Sequence, residues 1–350
     1  MERIAVFRAL QLGDLICSMP ALRALREWRP SASIVLIGLP WASTFVSRFS
    51  SVFDGFIAFP GAVGFPEQEE TDDGLPAFYT AARAWQFDLA IQLHGSGGIA
   101  NDIVHSLGAR ECAGFVQPGE RRGTGTFVPW PDHLPEPERY NVLMRALGAP
   151  VDDAALWFPL TPADELEADW LVRAHRIDTG RAVIVHPGAQ WASRRWPAER
   201  FATVADDLAA SGAQILLTGT NGETALAANV ARCMRHAPIQ LVGQTSLGAL
   251  AALVARARLV VCNDTGISHI AAALGTRSVV VASGSDTARW APADRIRHRV
   301  LAHYPPCRPC AHPRCPYGHE CALGIDAPLV VSAALHQLDA TARESVRTAP

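Results

Sequence analysis

The chain has 350 residues, of which 49% are hydrophobic and 19% charged, enough apolar material for two full-sized cores. A formal net charge of −3 argues against nucleic-acid binding through bulk charge, and no uninterrupted apolar run approaches the ~18 residues of a membrane span. The N-terminal stretch is broken by Arg8 and Asp14 and lacks a signal-peptide cleavage pattern, so a soluble cytoplasmic protein is expected. Peripheral contact with a membrane stays open, because short basic or aromatic patches do not show in these totals.

In chain order, "RIAVFRALQLGDLICSMPALRALREWRP" reads as a strand from Ile4 to Arg8, a Gly-containing turn and a helix. "SASIVLIGLP", "FDGFIAFP", "FDLAIQLHGS" and "ARECAGF" are further short apolar strands, each set between helical or loop material. The stretch from Pro118 to Pro137 is rich in Pro and Gly and reads as irregular. A second series starts near Thr179: strand "RAVIVHPGA", helix "PAERFATVADDLAASG" closed by Gly212, strand "AQILLTGT" and helix "GETALAANVARCMRH". It continues with strand "IQLVGQ", helix "LGALAALVARA", strand "RLVVCND", helix "ISHIAAALG" and strand "RSVVVASG". "PLVVSAALHQLDATARES" is a terminal helix. Continuous apolar strands alternating with helices indicate parallel sheets covered on both faces. The expected organisation is two Rossmann-like α/β domains, residues 1–165 and 166–326, followed by a C-terminal helix and tail, 327–350. The second domain includes a cysteine-rich loop, 305–322.

Ligands of open α/β sheets bind at the carboxyl ends of the strands, so the polar strand tips are the candidate sites. In "LQLGDL", Gly13 permits a tight turn and Asp14 opens a helix, where a carboxylate serves either as a helix-start acid or as a general base. In "HPGAQWASRRWPAERF", Arg194 and Arg195 precede a helix start. They suit a phosphate or simply flank a packed Trp196. In "LLTGTNGETALA", Glu223 opens a helix, where it caps or accepts from a ribose diol. In "NDTGISHIAAALGT", Thr265 and Gly266 offer a hydroxyl and free N–H groups to a diphosphate, while Asp264 suits sugar hydroxyls. No GxGxxG dinucleotide fingerprint follows the first strand, which weighs against a nicotinamide enzyme.

Taken in order, "ALQLGDLICSMPALRAL", "FDLAIQLHGS", "HPGAQWASRRWPAERF", "NDTGISHIAAALGT" and "RWAP" resemble glycosyltransferase family 9, the lipopolysaccharide heptosyltransferase family, from about Arg3 to Leu323. The resemblance implies the GT-B architecture, two Rossmann-like domains facing across a cleft. It also implies inverting transfer of a sugar, typically heptose from ADP-heptose, to a glycan, lipid-linked or other hydroxyl acceptor. It makes Asp14 the catalytic base, and Arg194, at a position commonly Lys, a contact of the donor diphosphate. Glu223 becomes the ribose ligand, Asp264 the ligand of donor sugar hydroxyls, and Thr265 and Gly266 the diphosphate-contacting turn. His186 and His269 fall on the donor side with them; Gly13, Gln92 and His94 fall on the acceptor side. A sugar-nucleotide epimerase or hydrolase of the same architecture, and a non-catalytic nucleotide-sugar-binding protein, remain as alternatives.

Cys307, Cys310, Cys315 and Cys321 follow the spacing C-x2-C-x4-C-x5-C within "PPCRPCAHPRCPYGHEC". The spacing points to a structural four-cysteine site for zinc or iron, with His303, His312 and His319 as substitute ligands. Two disulfides, disfavoured in the cytoplasm, or four free thiols are the other readings. No catalytic metal is expected. Cys17, Cys112, Cys233 and Cys262 are scattered and read mostly as buried small hydrophobes.

Overall fold

A computed structural model describes residues 1–68, 71–120, 122 and 124–348, with side chains through Ala342. The end of the expected tail, residues 349–350, lies outside the described residues, as do 121 and 123 within the stretch expected to be irregular. The chain forms two compact units, Met1–Pro159 and Leu160–Pro350.

The first unit runs β1 (Arg3–Phe7), α1 (Leu12–Trp28), β2 (Ser33–Gly38), α2 (Ala42–Arg48), β3 (Gly55–Ala58) and α3 (Leu75–Arg83). It continues with β4 (Leu89–Gln92), α4 (Ile99–Ser106), β5 (Glu111–Val116), β6 (Thr126–Pro129) and α5 (Glu136–Leu147). Its six strands are parallel in the order β3-β2-β1-β4-β5-β6. Ile4 registers with Ile34 on one side and Leu89 on the other. Buried on both faces, β1, β2, β4 and β5 are the largely apolar runs that a helix-covered parallel sheet requires. One core cluster gathers Phe7, Ile37, Phe59, Phe78 and Ile103.

The second unit runs α6 (Pro162–Ala174), β7 (Ala182–His186), α7 (Ala198–Ala210), β8 (Gln214–Leu217), α8 (Thr224–Cys233), β9 (Ile239–Gln240) and α9 (Leu247–Arg256). Then come β10 (Leu259–Asn263), α10 (Gly266–Leu274), β11 (Ser278–Val281), α11 (Thr287–Trp290), β12 (His298–Leu301), α12 (Glu320–Leu323) and α13 (Ala327–Thr348). Its strand order is β12-β11-β10-β7-β8-β9, again all parallel. Renumbered within the unit, this is the same doubly wound order, 3-2-1-4-5-6, as in the first. The core joins Val183, Val185, Phe201, Leu217 and Val261 to Val330, Ala334 and Leu338 of α13. The terminal helix is thus built into this unit.

Three details differ from the sequence reading. The stretch from Pro118 to Pro137 contains β6, and "HRVL" forms β12. Both are four-residue strands at sheet edges, too short to declare a period. The expected boundary at 165/166 falls inside α6, which belongs to the second unit. Thr161 and Asp164 start that helix as a capping box. The Asp164 amide donates to the Thr161 hydroxyl at 3.3 Å, and the Thr161 amide donates to the Asp164 carboxylate at 2.7 Å.

Candidate functional site

In each sheet the chain winds outward in both directions from one central strand pair, β1/β4 in the first unit and β7/β10 in the second. The carboxyl ends of such a pair open a crevice. At the β7/β10 pair, Asn263, fully buried, ties the two tips together. Its amide nitrogen donates to the carbonyls of Pro187 (2.7 Å) and Gly188 (3.3 Å), and its oxygen accepts from the Trp196 amide at 3.0 Å. The Glu223 carboxylate joins them from the end of β8. Its Oε2 accepts from the Thr220 amide at 2.7 Å and from the Thr220 hydroxyl at 2.9 Å. Its Oε1 packs on Gly188, well inside contact distance of where a Cβ on that residue would stand. A Cβ at residue 188 would force that carboxylate to move, so Gly188 lets Glu223 lie where it does.

Arg194 ends the one-turn 3-10 helix Ala192–Arg194. Its Nη2 donates to the Cys310 carbonyl at 2.8 Å, while its Nη1 is buried without a hydrogen-bond partner among the described residues. Burial lowers the guanidinium pKa, and the nearby Asp264 carboxylate pulls it back up. Asp264 leaves β10 with its amide donating to the Val281 carbonyl at 3.2 Å. Thr265 is the extended N-cap of α10 at φ −155°, and its hydroxyl makes no capping bond. The structure therefore brings Arg194, Glu223, Asp264, Thr265 and Gly266 to one end of the second sheet, around Gly188 and Asn263. The two histidines stand further back. His186 is buried, with Nδ1 3.0 Å from the Thr218 hydroxyl, and burial lowers its pKa against the opposing pull of Glu223. His269 is buried against Trp290, ring centroids 6.2 Å apart.

In the first unit Gly13 and Asp14 are the second and third residues of α1, so the β1–α1 turn closes over Arg8–Gln11 and not at Gly13. Asp14 forms a capping box with Gln11, whose amide donates to Asp14 Oδ2 at 3.2 Å. Arg8, with no exposed surface, donates from Nε to the Asp14 carbonyl at 2.9 Å and holds Nη2 3.7 Å from Asp14 Oδ1. The same Nη2 lies 3.5 Å from Glu136 Oε1, and the guanidinium rests 4.4 Å from the Tyr140 ring centroid. Gln92 is wholly buried and braces backbone. Its amide donates to the His94 and Gly95 carbonyls at 2.8 and 3.2 Å and accepts from the Phe115 amide at 3.3 Å. His94 Nδ1 accepts from the Ala9 amide at 3.2 Å, and burial together with the Arg8 charge pushes its pKa down to about 3. It is a neutral imidazole at physiological pH. An open cavity of about 760 Å³ lined by Glu2, Arg3, Arg83, Phe87, Asp88 and Arg110 lies at the amino ends of β1 and β4, away from these tips.

The four-cysteine metal centre expected at Cys307, Cys310, Cys315 and Cys321 is not supported by the structure. Among the described residues no group of three or more His, Cys, Asp or Glu side chains is arranged to hold a metal ion, and all four thiols are free. Cys307 is exposed, whereas Cys321 is buried beneath Gly284 and its thiol pKa is raised by that burial. The Cys310 sulfur accepts from the His312 amide at 3.4 Å; the Cys315 sulfur accepts from the Tyr317 and His319 amides at 3.4 and 3.3 Å. Ordinary hydrogen bonds anchor the segment. The Cys310 amide donates to the Gly284 carbonyl at 2.8 Å, the Ser193 amide to the Pro313 carbonyl at 3.1 Å, and His319 Nε2 to the Ser193 carbonyl at 2.9 Å.

A family model described as glycosyltransferase family 9 (heptosyltransferase) matches residues 77–320, more than half of the chain. The chain belongs to glycosyltransferase family 9. It is therefore a glycosyltransferase. It is similar to lipopolysaccharide heptosyltransferase 3 of Escherichia coli K12, 31% identical over 292 residues (80% of this chain, 82% of the relative). It is also similar to lipooligosaccharide heptosyltransferase 2 of Haemophilus ducreyi, 26% identical over 300 residues (80% and 82%). Its fold matches a family 9 glycosyltransferase from Veillonella parvula at TM-score 0.79, with 22% identity over 96% of this chain and 97% of the other. It matches ADP-heptose lipopolysaccharide heptosyltransferase II of E. coli at 0.72, with 21% identity over 99% of both chains. The architecture is accordingly GT-B. Sequence reasoning on this family 9 transferase missed Asn263, which stood in plain view inside "NDTG", and Arg8. A cation closing an otherwise apolar strand was the available signal for Arg8.

Proposed function

We propose that the chain transfers heptose from ADP-heptose to a hydroxyl of a lipopolysaccharide core, inverting the anomeric carbon. The first unit is assigned the acceptor and the second the donor. The names of the curated relatives support the sugar and the acceptor class. The observation that carries the donor assignment is the packing of Glu223 on Gly188 at the mouth of β7/β10, with Arg194 near enough to Asp264 to feel its charge.

In this reading Glu223 Oε1 accepts from the ribose hydroxyls and Asp264 accepts from hydroxyls of the donor sugar. Asp14 removes the proton from the acceptor hydroxyl as that oxygen attacks the anomeric carbon. Positive charge develops on the sugar ring. The departing diphosphate gathers negative charge, which Arg194 and the first amides of α10 stabilise. No metal takes part in these steps. His186 and His269 support the donor residues from behind; Gln92 and His94 hold the loop beside Asp14, and Gly13 leaves room at the start of its helix. The protein works in the cytoplasm and meets its lipid-linked acceptor at the membrane surface; among the described residues no helix is long and apolar enough to cross a membrane.

The test is to supply ADP-heptose with a truncated core that ends at the accepting sugar, following ADP release and the mass of the core. One heptose added per ADP released supports the proposal. Donor consumption at the same rate without acceptor would replace it with hydrolysis.

A further inference from the structure

The cysteine-rich segment is docked on the loop that carries Arg194 and on the turn that follows β11. This places Arg308 at the same strand ends. Arg308 Nε donates to the Ser285 carbonyl at 2.8 Å and Nη1 donates to the His303 carbonyl at 2.7 Å. Among the described residues its Nη2 is buried and has no hydrogen-bond partner, as is true of Arg194 Nη1. Ser283 and Ser285 flank Gly284, are 1% and 5% exposed, and bury hydroxyls that likewise have no partner.

Four hydrogen-bonding groups thus stand unused around one turn of backbone. Buried polar groups are almost always partnered, so each unpartnered one calls for a missing ligand or water. Two guanidiniums near each other, each half-removed from water, repel. The hydrogen bonds of Arg194 to Cys310, of Cys310 to Gly284 and of Arg308 to Ser285 gather both guanidiniums at the Ser283–Ser285 turn, and Asp264 is tied to Val281 at the start of that turn. A single carboxylate leaves two cations with unfilled donors. A ligand with several charged oxygens would fill them, and guanidinium forks match phosphate oxygens in particular.

We infer that Arg308, delivered by the cysteine-rich segment, is a second cation of the donor-diphosphate seat, paired with Arg194 and supported by the hydroxyls of Ser283 and Ser285. The inference rests on the donor reading above and adds a residue to it. It also gives the cysteine-rich segment a task without a metal: its hydrogen bonds to Ser193 and Gly284 hold an arginine in place.

Calorimetry with ADP, inorganic pyrophosphate and adenosine tests it, on the full chain and on Arg308→Gln and Arg308→Lys. Gln removes the charge and keeps a donor for the Ser285 and His303 carbonyls, so the loop survives. Loss of one charge-assisted contact should weaken ADP and pyrophosphate about tenfold to a hundredfold in Arg308→Gln while leaving adenosine unchanged. Arg308→Lys should recover part of the loss, since it restores the charge without the fork. Ser285→Ala should weaken pyrophosphate by a smaller factor. Wild-type protein that binds ADP while Arg308→Gln binds it equally well overturns this inference and leaves the donor reading intact. Equal weakening of adenosine also overturns it, because that marks general disruption. Wild-type protein that binds neither ADP nor pyrophosphate defeats both.

Discussion

Replacing Arg8 by Met keeps a long apolar stem in the core of the first unit and deletes its charge. The wild-type guanidinium has no exposed surface. It lies 3.5 Å from Glu136 Oε1 and 3.7 Å from Asp14 Oδ1, and it donates to the carbonyls of Asp14 and Leu93. At an effective dielectric of about 20, each of these separations corresponds to a gross attraction of about 5 kcal/mol before desolvation. The net effect is governed by what remains. Glu136 is itself wholly buried, and without Arg8 it keeps Arg139 Nη1 at 3.7 Å and the Tyr140 hydroxyl. Removing one member of a buried pair costs about 3–5 kcal/mol, because the other charge stays out of water. For a unit of this size each kcal/mol moves the melting temperature by about 2–4 °C, so the first unit should melt about 6–20 °C lower. Differential scanning calorimetry of Arg8→Met reads this directly. Adding Glu136→Gln should return part of the loss. A shift below about 2 °C, or a double variant no more stable than the single one, would refute the claim that the Arg8–Glu136 charge pair holds this corner.

Asp14→Asn should lower turnover by ~10²–10⁴ with ADP affinity preserved, since the Asn oxygen still accepts from the Gln11 amide and the helix start survives; unchanged turnover would remove Asp14 from the chemistry. Gly188→Ala should weaken ADP about tenfold or more by displacing the Glu223 carboxylate. If it acts through that carboxylate, Gly188→Ala/Glu223→Ala should bind ADP no worse than the weaker single variant; fully additive losses would contradict this. His94 is held neutral, with its pKa down near 3, whereas in the unfolded chain it protonates near about 6.5. Its contribution to stability is complete above that value and is lost as pH falls from about 6.5 toward 3. Urea midpoints at pH 7 and pH 5 should differ less in His94→Gln than in the wild type; equal differences would refute the assignment.

The sheets were legible because their strands are buried on both faces and read as uninterrupted apolar runs, from "RIAVF" to "LVVCN". The strand tips were legible because polar residues, Gly and Pro interrupt those runs where the chain turns. The edge strands β6 and β12 were not, since four residues at a sheet margin carry too little pattern. The boundary at 165/166 lies inside α6, although "TPAD" at the start of that helix holds a complete capping box. Roles within the tips were less legible than their existence. Asp14 and Glu223 both close capping boxes in the structure, so helix-start chemistry and ligand chemistry draw on the same residue types at the same positions. The cysteine spacing suggested a shared ion, whereas Cys307 and Cys321 differ in burial and amides reach the other two sulfurs. Arg308 carried no signal of its own; only the folded path of the segment brings it beside Arg194.

The most direct measurement is transfer itself, with purified protein, ADP-heptose and a truncated lipopolysaccharide core, and the new linkage read by nuclear magnetic resonance. Acceptor-dependent ADP release, one heptose added and an anomeric configuration opposite to that of the donor are expected. Retained configuration, or ADP release that ignores the acceptor, would contradict inverting transfer.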